Sequence, residues 1–154
     1  MGTAHAKIGT SPLVGIDHFE TAKVGVTLAY YRDMSAYRYG NGVPNAVNIG
    51  WLGWRNPFFR RGQMPEELVE KLKRLALNPE WKTRGYHRCP FCPPGKRATI
   101  RVGAKVLILG SAEIVVESDL GKVYDSPDLI VHYVEKHSYL PPPPFLEALG
   151  SMKI

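Results

Sequence analysis

Apolar residues recur at helical spacing in the middle of the chain. Leu68, Leu72 and Leu75 lie on one face of a predicted helix that begins near Pro65, since proline suits the first turn of a helix. Two glutamates follow the proline and favour a helix N-terminus. The dipeptide at 78–79, Asn-Pro, ends the pattern. We expect the apolar face of this helix to pack against the core.

A second helix is predicted near the C-terminus. Ser126 is its expected N-cap and Pro127 its first helical residue, and the pattern breaks at Ser138. Four prolines at 141–144 predict a rigid extended connector. A short last helix over 144–149 places apolar side chains on one side.

Short runs rich in β-branched and aromatic residues predict the strands. Two of them lie before the first helix, at 24–31 and 46–52. Between the two main helices, short glycine-containing turns separate four more segments, at 99–102, 105–109, 112–117 and 122–124. Because these turns are short, we expect the four segments to form an antiparallel meander. The predicted fold class is α+β: a small, mainly antiparallel sheet with two packed helices, a zinc-knuckle-like loop and a short C-terminal helix.

The chain length fits a single domain. With 154 residues and 44% hydrophobic residues, the sequence can form one core. We assign residues 1–22 to a weakly patterned N-terminal arm and residues 23–154 to the domain. No apolar run approaches the roughly 18–20 residues of a membrane span, and the first residues do not resemble a secretory signal. We therefore expect a cytoplasmic protein that does not associate with membranes.

Positive charge is concentrated in the middle of the chain. The formal net charge is +6, yet the segment from Arg55 to Lys105 carries thirteen Lys and Arg against four Glu, a net of +9. Such a segment could bind an anionic partner, for instance a nucleic acid. Because its basic residues are scattered singly, a solvated surface explains the pattern as well.

The two cysteines of the chain, Cys89 and Cys92, form a Cys-x-x-Cys motif. Their spacing is too short for a disulfide that joins distant segments, and in the cytoplasm such a pair indicates metal binding or redox chemistry. Structural zinc takes four ligands, and thiolate and imidazole are among those it prefers. His132 and His137 supply a His-x4-His pair. We therefore predict one structural Zn²⁺ per chain, bound by these four residues.

Helix geometry complicates this ligand set. Five residues of an α-helix rotate by about 500°, which separates the two imidazoles by roughly 140°. His137 must then lie at or beyond a distorted helix end, or His87 must replace one of the two histidines. Two further interpretations stay open: packed thiols without an ion, and redox chemistry, since Cys-Pro-Phe-Cys looks like the glutaredoxin tetrapeptide. No βαβ pattern precedes the motif, as the glutaredoxin fold would require.

No convergent catalytic set is apparent. The sequence contains neither a nucleophile elbow nor a glycine-rich phosphate loop. Glu113 is a candidate general base, or else it bonds a backbone group or an arginine. The same two interpretations, a general base or a structural hydrogen-bond acceptor, apply to Asp33. Asp128 is most simply an acid in the first turn of the second helix.

Five segments together form a recognisable order of motifs. They are Tyr-Arg-Asp-Met-Ser-Ala-Tyr-Arg-Tyr at 31–39, Val-Asn-Ile-Gly-Trp-Leu at 47–52, Arg-Gly-Tyr-His-Arg-Cys-Pro-Phe-Cys at 84–92, Gly-Ser-Ala-Glu-Ile at 110–114 and Leu-Ile-Val-His-Tyr-Val at 129–134. This order resembles a family of small uncharacterised bacterial proteins, a domain of unknown function, over about residues 30 to 149. The resemblance implies that one constellation comprises His87, Cys89, Cys92, His132 and His137. It implies no activity.

Taken together, these features predict a non-enzymatic protein that is stabilised by zinc and binds a macromolecular partner. We expect this partner to be another protein. Two alternatives remain. One is a nucleic-acid-binding protein that uses the basic segment at 55–105, and the other is a zinc-dependent hydrolase with Glu113 as its base.

Overall fold

The computed structural model describes residues 30–38, 43–54, 57–82 and 85–154. The predicted N-terminal arm and nearly all of the predicted strand at 24–31 lie outside these residues. In chain order the elements are β1 (Val47–Asn48), α1 (Glu66–Leu77), β2 (Trp81–Lys82), β3 (Thr99–Val102), β4 (Lys105–Ile108), β5 (Ala112–Glu117), β6 (Val123–Pro127), α2 (Ile130–His137) and α3 (Pro143–Ser151).

The strands form two separate sheets. The larger has the order β1-β6-β5-β2, in which β1 and β6 are parallel and the other pairs are antiparallel. The smaller is an antiparallel hairpin of β3 and β4. The α+β class is therefore confirmed, whereas the continuous four-strand meander is wrong.

The meander is interrupted between β4 and β5, at Gly110. This residue has a φ of 106° and leaves the strand conformation. Its N–H donates to the Asp128 carboxylate at 2.7 Å, and its carbonyl accepts the His87 N–H at 2.7 Å. Both backbone groups of Gly110 are thus bonded outside the hairpin, and the chain enters the second sheet.

The second main helix begins later than its sequence signals suggest. Ser126 and Pro127 belong to β6, where Ser126 pairs with Ile114, so neither starts the helix. Proline is tolerated at this last strand position, where the ladder ends. Asp128 also precedes α2; it is buried and bonds Gly110, so it is not an acid of the first helical turn.

The helices and β5 share one hydrophobic core. The predicted apolar face of α1 contributes buried Leu72 and partly buried Leu68 and Leu75. The remaining helices and β5 add Ile114, Val116, Ile130, Val131, Tyr133, Phe145 and Leu149, all at most 1% exposed. This core fixes α2, which carries His132 in its first turn and His137 as its last residue.

The C-terminal prolines differ in role from the predicted connector. α3 begins at Pro143, so two of the four prolines form its first turn. Phe145 is fully buried and meets the Tyr124 ring edge-on at 5.9 Å. Directly after the remaining two prolines, the helix therefore packs against β5 and α1, and its Phe145 reaches Tyr124 of β6.

Candidate metal centre

The Cys-x-x-Cys motif forms a tight turn. The Phe91 N–H donates to the Cys89 Sγ at 3.4 Å, which places the thiol on the inner side of the turn. Just before the turn, the His87 N–H donates to the Gly110 carbonyl and ties the segment to the base of the β3–β4 hairpin. Cys89 is buried and Cys92 is half-buried.

The C-terminal end of α2 is widened. The N–H of Ser138 donates to the Tyr133 carbonyl, five residues earlier, instead of making the i→i−4 bond of an α-helix. Ser138 itself is left-handed, with φ 54° and ψ 31°. In a turn of the i→i−5 type, residues five apart return to nearly the same side. The predicted distortion at His137 is therefore present at this helix end, where the two imidazoles meet.

The four predicted ligands converge. Their donor atoms all lie within 4.8 Å of one another. The two Nε2 atoms are 3.2 Å apart, and the sulfur–nitrogen contacts are 3.2 Å for Cys89–His137, 3.2 Å for Cys92–His132 and 3.5 Å for Cys92–His137. A tetrahedral zinc site, with Zn–S of about 2.3 Å and Zn–N of about 2.0–2.1 Å, has edges of about 3.5 Å between S and N and about 3.3 Å between N and N. The observed spacings fit that tetrahedron.

Burial sets the protonation of these donors. Burial and the nearby His137 lower the pKa of His132 to about 4, and burial and Arg61 lower the pKa of His137. Both imidazoles are thus neutral at pH 7, which is the form that binds metals. Burial raises the pKa of Cys89 to about 12. A buried thiol of this kind becomes a thiolate when a cation replaces its proton.

Aromatic side chains enclose the centre on one side. The Phe91 ring, inside the cysteine turn, packs against the His137 ring at 5.4 Å and against Phe59 at 5.4 Å. Arg61 lies over the Phe59 ring at 4.4 Å and donates to the His137 carbonyl at 2.8 Å. These contacts fix the end of α2 against the turn. Sequence reasoning missed Phe59 and Arg61, because they are distant in the chain and belong to no motif.

Comparison with known proteins assigns the chain to a family. The model of the family described as Domain of unknown function (DUF7919) matches residues 29–150. The chain belongs to this family. The resemblance to a domain of unknown function is thereby confirmed. No curated protein and no solved structure matches the chain. Among the helices in the described part of this family member, none has the length and apolar character that a membrane crossing needs.

His87 does not join the four converging residues. Its backbone N–H bonds the Gly110 carbonyl, and no residue in the described ranges forms a hydrogen bond with its buried Nδ1. Burial lowers its pKa, so the ring is neutral. The group of candidate ligands found within the described residues consists of Cys89, Cys92, His132 and His137.

The structure does not resemble a dithiol redox site. The two cysteines are free thiols in a turn, and no helix begins there. A helix N-terminus at the motif is what lowers the thiol pKa in glutaredoxin-like sites. Here burial raises the pKa of Cys89 instead.

The candidate acids lie elsewhere in the fold. Glu113 is buried on β5 and accepts the Tyr37 hydroxyl at 2.9 Å. Asp33 accepts the Gly50 N–H at 2.8 Å and the Tyr139 hydroxyl at 2.9 Å, which is a structural role. Neither belongs to the cysteine–histidine group.

Proposed function

We propose that this chain is a small, non-enzymatic, cytoplasmic protein in which one Zn²⁺ joins the cysteine turn to α2, and that it binds a macromolecular partner. The observation that carries the zinc assignment is the convergence of two sulfur and two nitrogen atoms at tetrahedral spacing. Thiolate and imidazole together suit zinc, whereas calcium and magnesium prefer oxygen.

A Cys₂His₂ set supports a structural role for the ion. Four protein ligands complete the zinc shell and leave no position for a water nucleophile. Glu113, the candidate base of a zinc hydrolase, bonds Tyr37 and lies outside the ligand group. A hydrolase is accordingly not the proposal that this geometry favours.

A bound ion would stabilise the cysteine turn, which has few core contacts of its own. Residues 93–97 are exposed, and the turn contributes only Cys89, Phe91 and Cys92 to the core cluster. A bound ion would connect this turn to α2, about forty residues further along the chain. Its binding free energy would then be part of the folding free energy.

The experiment for the zinc assignment is metal analysis of protein purified without chelator, combined with thermal unfolding before and after metal removal. We expect about one zinc per chain and a lower Tm after removal. Chelation of a structural zinc unfolds or destabilises the domain, whereas a chelator would not change the Tm of a protein with packed thiols and no ion.

For the partner, we propose another protein. Support comes from large side chains that the described surface leaves exposed, among them Phe58 at 92% and Leu120 at 96%. Aromatic residues are enriched in protein interfaces. Native co-purification followed by mass spectrometry, with Phe58→Ala and Leu120→Ser as matched surface variants, tests this. A partner that both variants retain would show that these residues do not form the interface.

A nucleic acid is the second candidate partner. From Trp81 to Ala112 the sequence contains seven Lys and Arg and no acidic residue. Of these, Arg88, Lys96, Arg97, Arg101 and Lys105 are exposed, and none of these five forms an ion pair within the described residues. Cations of one segment that form no ion pair suit a phosphate backbone, although Arg97 also stacks on the Tyr86 ring at 4.7 Å.

Elution from a DNA column over a salt series distinguishes this candidate. Arg101→Ala with Lys105→Ala should lower the elution salt, and the slope of log K against log salt should fall by about 0.9 for each phosphate that the variant no longer neutralises. Lys122→Ala, an exposed lysine outside this segment, serves as the control. Wild-type elution at low salt argues against a nucleic acid.

A further inference from the structure

A second group of polar side chains lies inside the larger sheet, on three adjacent strands. Asp125 of β6 pairs with Asn48 of β1 on one side and with Val115 of β5 on the other. Glu113 lies two residues before Val115, and side chains two apart in a strand share a face. Glu113, Asp125 and Asn48 therefore lie on the same face, at 5%, 1% and 1% exposure.

Few hydrogen-bond donors reach the oxygen atoms of this group within the described residues. Glu113 accepts a bond from the Tyr37 hydroxyl at 2.9 Å, and its carboxyl group is hydrogen-bonded to that of Asp125. No other described group donates to the buried carboxylate oxygens of Asp125. No lysine, arginine or histidine within the described residues forms an ion pair with either carboxylate.

Asn48 adds an independent unsatisfied oxygen. Its Nδ2 donates at 3.0 Å to the Ser35 hydroxyl and to the Ala36 carbonyl, on the side of β1 away from β6. Because an amide's oxygen and nitrogen diverge from the same carbon, Oδ1 is directed to the other side, where Asp125 lies. Within the described residues, Oδ1 is buried and accepts no hydrogen bond. This oxygen and the two Asp125 oxygens are thus buried acceptor atoms of neighbouring strands on one face of the sheet.

Positive charge is what such a group requires. Burial raises the pKa of Glu113, and burial together with Glu113 raises the pKa of Asp125 to about 8. The two carboxyl groups therefore do not both ionise unless a positive charge compensates them. One shared proton would join the two carboxyl groups. It would leave the Asn48 oxygen unsatisfied, at a cost typical of buried polar atoms.

We propose that Glu113, Asp125 and Asn48 bind a divalent cation of the Mg²⁺ and Mn²⁺ class, at a site separate from the zinc centre. The donors are all oxygen, which such cations prefer. One or two carboxylates are the usual protein contribution to a Mg²⁺ site, whereas Ca²⁺ takes six to eight oxygen ligands. Zinc prefers the cysteine–histidine group, so the two sites differ in ligand chemistry.

The test uses Mn²⁺ as the probe on zinc-loaded protein, so that the cysteine–histidine group is already occupied. Loss of the free Mn²⁺ signal in electron paramagnetic resonance counts bound ions. We expect about one Mn²⁺ per wild-type chain, and at least a tenfold loss of affinity in both Asp125→Asn and Glu113→Gln. Glu117→Gln, an exposed acid on the same strand, should bind like wild type.

Two results would overturn the proposal. One is the absence of Mn²⁺ binding by the wild-type chain at millimolar concentration, which needs no variant. The other is unchanged binding in Asp125→Asn and Glu113→Gln, with folding of both confirmed by circular dichroism. Either result would show that Glu113, Asp125 and Asn48 do not hold a cation of this class. Because the zinc content is measured separately, failure here leaves the zinc assignment intact.

Discussion

His132 and His137 place their Nε2 atoms 3.2 Å apart, although five residues of regular α-helix would turn them to different sides. The i→i−5 bond from Ser138 to Tyr133 widens the last turn of α2, and the left-handed Ser138 ends it. The histidine pair therefore depends on how this helix terminates. The backbone at Ser138 thereby shapes the candidate metal centre, although Ser138 is not one of the four candidate ligands.

Ser138 offers a direct test of this dependence. Its φ of 54° is strained for a residue with a Cβ, so Ser138→Gly should raise the free energy of unfolding by about 0.5–1 kcal/mol and keep the zinc affinity. Ser138→Val, which is β-branched, should lower both. Denaturant unfolding in zinc buffer measures the free energy of unfolding of both variants. Loss of stability in the glycine variant would contradict the assigned helix end.

Gly110 connects the hairpin to the cysteine segment. A Cβ at this position would overlap the His87 carbonyl oxygen, and φ is 106°. We expect Gly110→Ala to cost about 2–4 kcal/mol of unfolding free energy. Gly103→Ala is the control, since Gly103 also has a positive φ but open space around its Cα. Its cost should stay at about 1 kcal/mol, the penalty of the left-handed conformation alone. Equal losses in the two variants would contradict the close packing of Gly110 on His87.

Asp128 gives the protein a pH-dependent contribution to stability. Burial raises its pKa to about 6, above the ordinary value of about 3.9, despite four backbone N–H groups that oppose the shift. The folded state therefore holds the proton more tightly than the unfolded state. This contribution is complete below about pH 4 and is lost as pH rises to about 6, a change of up to about 3 kcal/mol.

Asp128→Asn isolates that contribution. The difference in unfolding free energy, wild type minus variant, should fall between pH 4 and pH 6 and stay level above pH 7. Metal loss in acid affects both proteins and cancels in the difference. A difference that rises over this interval would show that the pKa of Asp128 is lowered in the folded state.

The elements that the sequence predicted well carry strong local signals. α1 follows Pro65 and ends before Pro79, with its leucines inward, as helix rules require. Ser126-Pro127 carries an equally good helix-start signal and yet lies in β6. There the pairing of β6 with β1 and β5 overrides the local preference. The parallel contact with β1 is non-local, and no local pattern encodes it.

The convergence of the four candidate metal ligands was predictable for a different reason. With two cysteines and few histidines in the chain, the chemistry of zinc leaves few combinations. The Glu113–Asp125–Asn48 group had no such signal. Each of its residues lies singly on a different strand, and only the register of β1, β6 and β5 brings them together.

Cys92→Ser should be far more disruptive than its half-buried position suggests. A hydroxyl in place of the thiolate would remove one of the four proposed zinc ligands, and with it most of the contribution that a bound zinc makes to folding. We expect a loss in Tm well above 10 °C, against less than 2 °C for the exposed Lys105→Ala. Differential scanning calorimetry of the two variants, both purified in zinc buffer, makes the comparison. Similar Tm values for the Cys92→Ser and Lys105→Ala variants would contradict a role for a metal in stabilising the fold.

The most direct measurement of the central claim is the zinc content of the purified chain, taken together with its Tm before and after treatment with a strong chelator. We expect close to one zinc per chain, a marked fall in Tm when the zinc is removed, and recovery of the Tm when zinc alone is returned. Zinc-free protein whose Tm does not change in chelator would contradict this expectation, and would show that Cys89 and Cys92 are packed thiols beside two neutral histidines.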